Sequence, residues 1–442
     1  MNRKRIAIIG GGFSGASLAA LLMQASPRPS VTLIERSARL GAGLAYGAND
    51  GAHLLNVRAS NMSAFATEPD HFARWLKART GESADAFAPR KLYGAYVAET
   101  LRKASGAFGH RLQRVRGEAI ACERDGEAWR ISLADGRVIA ADAVALAIGH
   151  RPPRALAPFA QSGVALIDAW DEAAQRLLPR GDVLLLGTGL TMVDVALSLA
   201  RRRSAGTIFA LSRRGLTPRP HLDPPRPRPS ERIDLPPPLS TALAVFRAEV
   251  ARLNAAGEPW QQAMERLRHY TTPLWRRLSP HEQRRFLRHL RPYWDVHRHR
   301  MAPSIAARID ALKSAGRLRI LAGEITSAEP AGRSVLVEHR QRGSFARHRF
   351  EVAGIINCTG GDSDLGRSDD PLLNQMLRAG LIRPHTSGVG LDLDSESRVI
   401  GADGAAHASL FAVGPLTQGA FWESTAVPDI RLWLAEIAAK LC

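Results

Sequence analysis

Gly10, Gly12 and Gly15 form the pattern G-x-G-x-x-G, and Glu35 follows twenty-five residues after Gly10. The same spacing recurs from Gly187 and Gly189 to Ser212, Arg213 and Arg214. Glycines at these positions permit a tight turn, let a pyrophosphate approach the backbone and let a helix pack closely on a strand, so that phosphates meet the positive end of the helix. Phe13 and Ser14 open that helix in the first unit, and Leu190 and Thr191 open it in the second. A terminal acid such as Glu35, followed by Arg36, suits the ribose hydroxyls of a dinucleotide. At the matching place of the second unit a carboxylate would repel a 2′-phosphate, whereas Ser212 donates a hydrogen bond and Arg213 or Arg214 pairs with the charge. The first unit therefore reads as a dinucleotide site and the second as a site for NADP(H). Met192 stands where the second unit lacks its third glycine, which predicts looser packing of that helix.

Each device needs a strand, a turn, a helix and a second strand. Arg5 to Ile9 is a continuous apolar run of the kind buried on both faces of a parallel sheet, and Phe13 to Gln24 continues as an Ala- and Leu-rich helix. "EAWRISLADGRVIAADAVALAIGH" predicts two short strands joined at Asp135-Gly136, then a strand ending at Gly149. "EVAGIINCTGG" has the same form and ends at Gly360, so the two glycine-ended strands bracket the second unit as crossings between nested domains. Nine prolines between Pro218 and Pro238 forbid regular structure there. Helical periodicity follows, with Leu243, Phe246, Val250 and Leu253 on one face, and Ser279 to Glu282 forms a capping box with Pro280 at the first helical position.

The expected fold is α/β: two nested Rossmann-like, glutathione-reductase-like domains with a mainly helical insertion. The expected bounds are 1–165 for the first part of the first domain, 166–317 for the second domain with its insertion at about 218–303, and 318–442 for the remainder of the first.

The chain of 442 residues has a formal charge of +18, nearly all from arginine. Between Arg213 and Arg300 eighteen arginines face eight acids, an excess of ten. Basic charge alone speaks to solubility and non-specific binding, so nucleic acid is not the expected partner. Cys122, Cys358 and Cys442 are far apart and form no C-x-x-C pair, which argues against a disulfide scaffold or a metal knuckle and predicts a cytoplasmic protein. No stretch approaches the ~20 apolar residues of a membrane span. "WDVHRHR" would place His297 and His299 on one side of an extended chain, but its arginines make metal binding unfavourable, and no metal is expected.

The segments "HLLNVRASNMS", "FAPRKLYGAYV", "GTGLTMVD", "SRRGLTPRPH", "YWDVHRHRMAP" and "GPLTQGAFWEST" resemble a bacterial family of FAD-NAD(P)-binding proteins over nearly the whole chain. The architecture is similar to that of glutathione-reductase-like enzymes and class B flavin monooxygenases. That resemblance implies FAD in the first unit and NADPH in the second. It also implies that His53 to Met62 crosses the flavin ring, making Asn56 and Arg58 the polar candidates near the reacting atoms. By the same likeness the backbone after Gly414, with Thr417 and Gln418, approaches the flavin, and the closing helix points its positive end at the N1 and C2 region. Disulfide reductases of this architecture carry an Asp for the ribityl chain where this chain has Gly414-Pro415, and they need a cysteine pair that Gly41 to Ser63 lacks. Electrons then pass to oxygen or to a small organic molecule. The reading that follows is a monooxygenase acting on a small molecule with O2, through a C4a-(hydro)peroxyflavin and akin to amine N-hydroxylation. An NADPH-dependent reductase with an organic acceptor, and a flavoprotein binding nucleic acid or protein through its basic insertion, stay open at this stage.

Overall fold

The computed structural model describes residues 3–442 except 48–49, 154–155, 203–204 and 228. The chain enters through β1 (Arg5–Ile9), turns into a helix at Phe13–Gln24, and returns as β2 (Ser30–Glu35) and β3 (Leu112–Arg116). An antiparallel excursion follows, β4 (Ala119–Asp125), β5 (Ala128–Leu133) and β6 (Val138–Ala141), before β7 (Ala143–Leu146) rejoins the sheet beside β1. All of β7 and the last four residues of β1 are buried, as an interior parallel strand requires.

The second unit builds a separate sheet from β8 (Ile167–Asp168), β9 (Gly181–Leu186), β10 (Ala205–Ser212), β11 (Leu318–Ala331), β12 (Ser334–Gln341), β13 (Arg347–Val352) and β14 (Gly354–Asn357). Its strand order is β13-β12-β11-β10-β9-β14-β8. The chain then completes the first sheet with β15 (Arg398–Ile400) and β16 (Ala406–Ala412), giving the order β15-β16-β7-β1-β2-β3. The architecture is α/β with two parallel-cored sheets.

One boundary moves. Residues 318–357, assigned from sequence to the first unit, lie wholly in the second sheet: Leu318 pairs beside Ile208 of β10, and Gly354 beside Val183 of β9. An apolar strand followed by hairpins carries no mark of which sheet edge it will join. The free edge of β10 decides it.

The insertion is helical at Leu239–Ala255, Gln261–Leu267, Thr271–Arg277, Pro280–Arg285 and Arg291–Arg298. Ser279 and Glu282 form the expected capping box, and Glu282 Oε1 also accepts from the Leu239 N–H at 2.7 Å, so one carboxylate serves two helix starts. Along Leu239–Ala255 the buried positions are Leu239, Ala242 and Leu253, while Leu243 and Val250 stay half-exposed. The inward face is thus turned by about one residue from the expected one.

The insertion is anchored to the end of the first unit. Trp275 donates to the Gly419 carbonyl at 2.6 Å, Thr272 to the Phe421 carbonyl at 2.8 Å, and Trp294 to Glu423 at 3.1 Å. Trp422 takes a left-handed φ of +60° and stacks on Trp275 with centroids 4.9 Å apart. No helix among the described residues is long and apolar enough to cross a membrane.

Candidate active-site cleft

The two glycine turns are built alike to the atom. Gly10 has φ +104°, and a Cβ there would sit 2.4 Å from the Ala147 carbonyl oxygen; Gly187 has φ +96°, and its Cβ would sit 2.7 Å from that of Cys358. In both units the first glycine lies under the strand that crosses to the other unit. Each following helix begins at a glycine, Gly12 or Gly189, with no side-chain cap and no acid in its first turn. The backbone N–H groups of both helix starts are left to a ligand, and a Cβ on Gly189 would meet nothing within 4 Å. These features fit phosphate groups.

The helices part at the third position. A Cβ on Gly15 would lie 1.8 Å from the Gly10 carbonyl oxygen, so only glycine fits. Met192 instead fills the core among Val183, Leu185 and Ile356 and is fully buried. The departure is therefore taken up by packing.

Glu35 accepts from the Gly11 N–H at 2.6 Å and from the Ser37 N–H at 2.8 Å, holding the first turn in shape, and Arg36 beside it is exposed. In the second unit Ser212 Oγ bonds Thr188 Oγ1 at 2.8 Å and accepts from the Gly215 N–H at 3.0 Å. Arg213 is exposed, and the Arg214 guanidinium lies over the Tyr293 ring at 5.2 Å.

Between the units opens a cleft of about 380 Å³. Gly149, Gly189, Leu190, Thr191, Gly360 and Gln418 line it, as does Asn56. The start of the closing helix, Val427–Leu441, lines it too, with its first-turn N–H groups uncapped by any side chain. Gly414 has φ +80° and seats its turn on the first helix, where a Cβ would come within 2.9 Å of Ser14 Oγ. Phe13, Ser14 and Thr417 are buried, and Thr417 donates to the Gly414 carbonyl at 2.9 Å, so it stiffens this turn.

Arg58 is held by main-chain carbonyls. It donates to the carbonyls of Asp85 and Leu222, both at 2.7 Å, and lies over the Phe87 ring. It lines the chamber next to the cleft and ties the first unit to the proline-rich segment.

"WDVHRHR" also differs from expectation. Pro292 starts a helix at Arg291–Arg298, so His297 and Arg298 are helical rather than extended. His297 bonds the Tyr293 carbonyl and packs on Trp260, whereas His299 faces the cleft. Arg291, Asp295 and His150 join His299 there. Asp295 opens onto the cleft 3.5 Å from Arg291, and its enclosure raises its carboxyl above the usual range. Burial, with Arg298 beside it, lowers His299 to about 4; burial, with Arg300 beside it, does the same to His221.

These two imidazoles predict an acid-side loss of stability. Unfolded, each takes a proton near its ordinary 6.5; folded, each stays neutral until about pH 4. Their contribution is complete above pH 6.5 and falls as the pH drops toward 4, by up to about 3 kcal/mol for each group. Urea titrations across this range should show the loss, and His299→Gln should make it shallower. An unchanged slope in that variant would contradict the assignment.

Residues that sequence reasoning missed join the two units. Arg90 lies 3.1 Å from Asp194, both side chains being about nine-tenths buried. Ser198 Oγ donates to Asp50 at 2.7 Å and meets His53 Nε2 at 2.8 Å. Arg90 and Asp194 belong to two of the segments quoted above, "FAPRKLYGAYV" and "GTGLTMVD"; nothing in either segment by itself says that they meet.

Cys358 and Cys122 are buried, burial raising the Cys122 thiol to about 12 and the Cys358 thiol further, and Cys442 is exposed. None of the three lines the cleft.

Residues 7–151 match the family model described as FAD-NAD(P)-binding. That stretch is the first part of the first unit, from β1 through β7. No curated protein sequence matches the chain. Among solved structures, the chain is similar to the reduced ornithine hydroxylase of Pseudomonas aeruginosa, with 17% identity, a TM-score of 0.67 and coverage of 100% of this chain and 99% of that one. It is also similar to the ornithine N-hydroxylase of Kutzneria sp. 744 solved with reduced FAD, NADP+ and L-ornithine, with 14% identity, a TM-score of 0.65 and coverage of 100% and 99%. The FAD-bound cadaverine monooxygenase of the desferrioxamine pathway of Erwinia amylovora has 10% identity, a TM-score of 0.69 and coverage of 100% and 95%. At these identities the likeness is one of fold. It extends over both units and the insertion.

Proposed function

We propose that the chain is an FAD-dependent, NADPH-using monooxygenase that places one oxygen atom on the amine nitrogen of a small molecule. The observation that carries this reading is one cleft, lined by no cysteine, at which the uncapped helix start of the second glycine turn meets the uncapped start of Val427–Leu441. The net reaction is R–NH2 + O2 + NADPH + H+ → R–NHOH + H2O + NADP+. Bound FAD supplies the chemistry, taking hydride from the nicotinamide and activating oxygen. The likeness in fold to ornithine and cadaverine hydroxylases supports the choice of amine.

The protein's own groups have three tasks. The Gly10–Gly15 turn, Glu35 and the Gly414 turn hold the first dinucleotide, while the start of Val427–Leu441 directs its positive end into the cleft. Gly187 to Thr191 and Ser212 to Arg214 hold the second. Asp295, at the cleft surface, receives the substrate ammonium and takes its proton, because only a neutral amine has the lone pair the reaction needs; Asn56 positions the nitrogen.

Mixing the NADPH-reduced holoenzyme with O2 and a panel of amines tests the reading. Substrate-stimulated NADPH oxidation with a hydroxylamine product is expected; rapid reoxidation with no hydroxylated product would sink it and favour an organic acceptor. The cofactor assignment makes a separate prediction. Arg213→Ala with Arg214→Ala should raise the KM for NADPH about tenfold to a hundredfold and narrow the preference over NADH, since one charge-assisted pair with the phosphate is worth ~1.5–3 kcal/mol. Steady-state kinetics with both nucleotides reads the outcome, and an unaltered preference would argue against the phosphate site.

A further inference from the structure

The turn after β10 is held by two hydroxyl groups whose hydrogens can be assigned by elimination. Thr188 Oγ1 bonds the Leu216 carbonyl, which only accepts, so the Thr188 hydrogen goes there. Thr188 Oγ1 also meets Ser212 Oγ at 2.8 Å, and Ser212 is therefore the donor of that bond. Ser212 Oγ accepts in addition from the Gly215 N–H at 3.0 Å. The single hydrogen of Ser212 is thus used inside the turn, and in this arrangement none is left for a phosphate. What the hydroxyl does is fix the path of Arg213 and Arg214, and recognition of a 2′-phosphate falls to cations.

The hairpin of β12 and β13 brings a further cation to this turn. Ser212 pairs with Ala322 in the register of β10 and β11, and a Cβ on Gly215, at φ +63°, would lie 3.1 Å from the Ala322 Cβ. The Arg342 N–H donates to the Ala322 carbonyl at 2.9 Å. Beside it, a Cβ on Gly323 would come within 2.2 Å of the Arg340 carbonyl oxygen, so only glycine lets the returning chain sit this close. The Arg342 backbone is thereby fixed at the end of β10. Its exposed side chain donates from Nη1 to the Arg213 carbonyl at 3.3 Å. A neutral carbonyl takes one N–H of a guanidinium and none of its charge.

We propose that Arg342 is a determinant of nucleotide specificity, binding the 2′-phosphate of the second dinucleotide together with Arg213 and Arg214, while the Ser212 hydroxyl positions the turn. The end of β10 is where a dinucleotide fold recognises the 2′ substituent of the ribose, and a guanidinium binds phosphate through paired N–H groups. The inference rests on the reading of the second unit as an NADP(H) site and extends that site to a residue from another element.

Calorimetry on the FAD-loaded protein tests this with 2′,5′-ADP, which carries the 2′-phosphate, and 5′-AMP, which lacks it. The wild type should bind 2′,5′-ADP about tenfold or more tighter than 5′-AMP. Arg342→Gln should weaken 2′,5′-ADP about tenfold, as loss of one charge-assisted pair predicts, and leave 5′-AMP unchanged. Arg342→Lys should keep part of the difference, each variant being checked for FAD content and melting temperature. Ser212→Ala and Thr188→Ala should each lower the melting temperature, with a less than additive loss in the double variant. Additive losses would overturn the role given to Ser212. A preference for 2′,5′-ADP that survives Arg342→Gln overturns the role of Arg342 and leaves the NADP(H) reading standing. Equal weakening of both nucleotides also overturns it, because Arg342 would then shape the site without meeting the phosphate. A wild type that binds the two alike overturns the NADP(H) reading itself, and the proposal with it.

Discussion

Gly15→Ala is expected to give a chain that fails to hold FAD and loses most of its folding stability. The added Cβ would lie 1.8 Å from the Gly10 carbonyl oxygen, inside any contact distance. Gly10 has no room to retreat, because its own Cα hydrogen already points at the Ala147 carbonyl. The helix must therefore lift from the sheet, exposing the packing of Ala16, Leu18 and Leu22 against Ile6 and Ile8. Overpacking costs typically 1–3 kcal/mol where side chains can shift; here backbone meets backbone, and the expected loss exceeds about 3 kcal/mol. Gly12→Ala separates folding from binding. Its Cβ would meet only the Gly43 backbone, no nearer than 3.4 Å, so this variant should melt near the wild type while its flavin absorbance after dialysis falls. A Gly15→Ala protein with wild-type melting and full flavin content would refute the close-packing argument.

Asp194→Ala should be the most damaging change on the second unit's first helix, costing about 3–5 kcal/mol, since it leaves the buried Arg90 charge without its partner. The 3.1 Å approach is chiefly electrostatic, because Asp194 Oδ2 makes no well-aligned hydrogen bond. Replacing both residues by apolar ones, Arg90→Met with Asp194→Leu, should recover a large part of the loss, as removal of a whole buried pair often does. A double-mutant cycle by chemical denaturation reads the coupling. Since the pair spans the two units, reduction of bound FAD by NADPH should slow in Asp194→Ala as well. Additive single-mutant losses with no recovery in the double variant would show that the pair does not act as one.

The local devices were legible because each is set by short-range constraint. A glycine turn between a buried strand and a helix follows from spacing alone, and Phe13–Gln24 lies where its composition puts it. The capping box at Ser279 and Glu282 and the crossings at Gly149 and Gly360 follow for the same reason. Whether Leu318–Ala331 joined the first sheet or the second was not legible, since a strand's hydrogen bonds suit either edge. His297 and His299 misled because a short polar run does not reveal that Pro292 will start a helix, and the partners of Arg58 were not legible because proximity in sequence to Asn56 says nothing about where a long side chain goes.

What the sequence by itself determined is the pair of dinucleotide-binding devices and the different ends of their second strands, Glu35 in one and Ser212 with Arg213 and Arg214 in the other. The absence of a cysteine pair beside the first device was equally plain in it. Only the tertiary structure decided that the second device and the start of Val427–Leu441 line one cleft, that Arg90 meets Asp194 across the units, and that the arginines of the insertion form the wall of a second chamber. Those pairings join residues more than a hundred positions apart, where burial, charge compensation and the reach of the insertion decide the partner and no spacing rule applies.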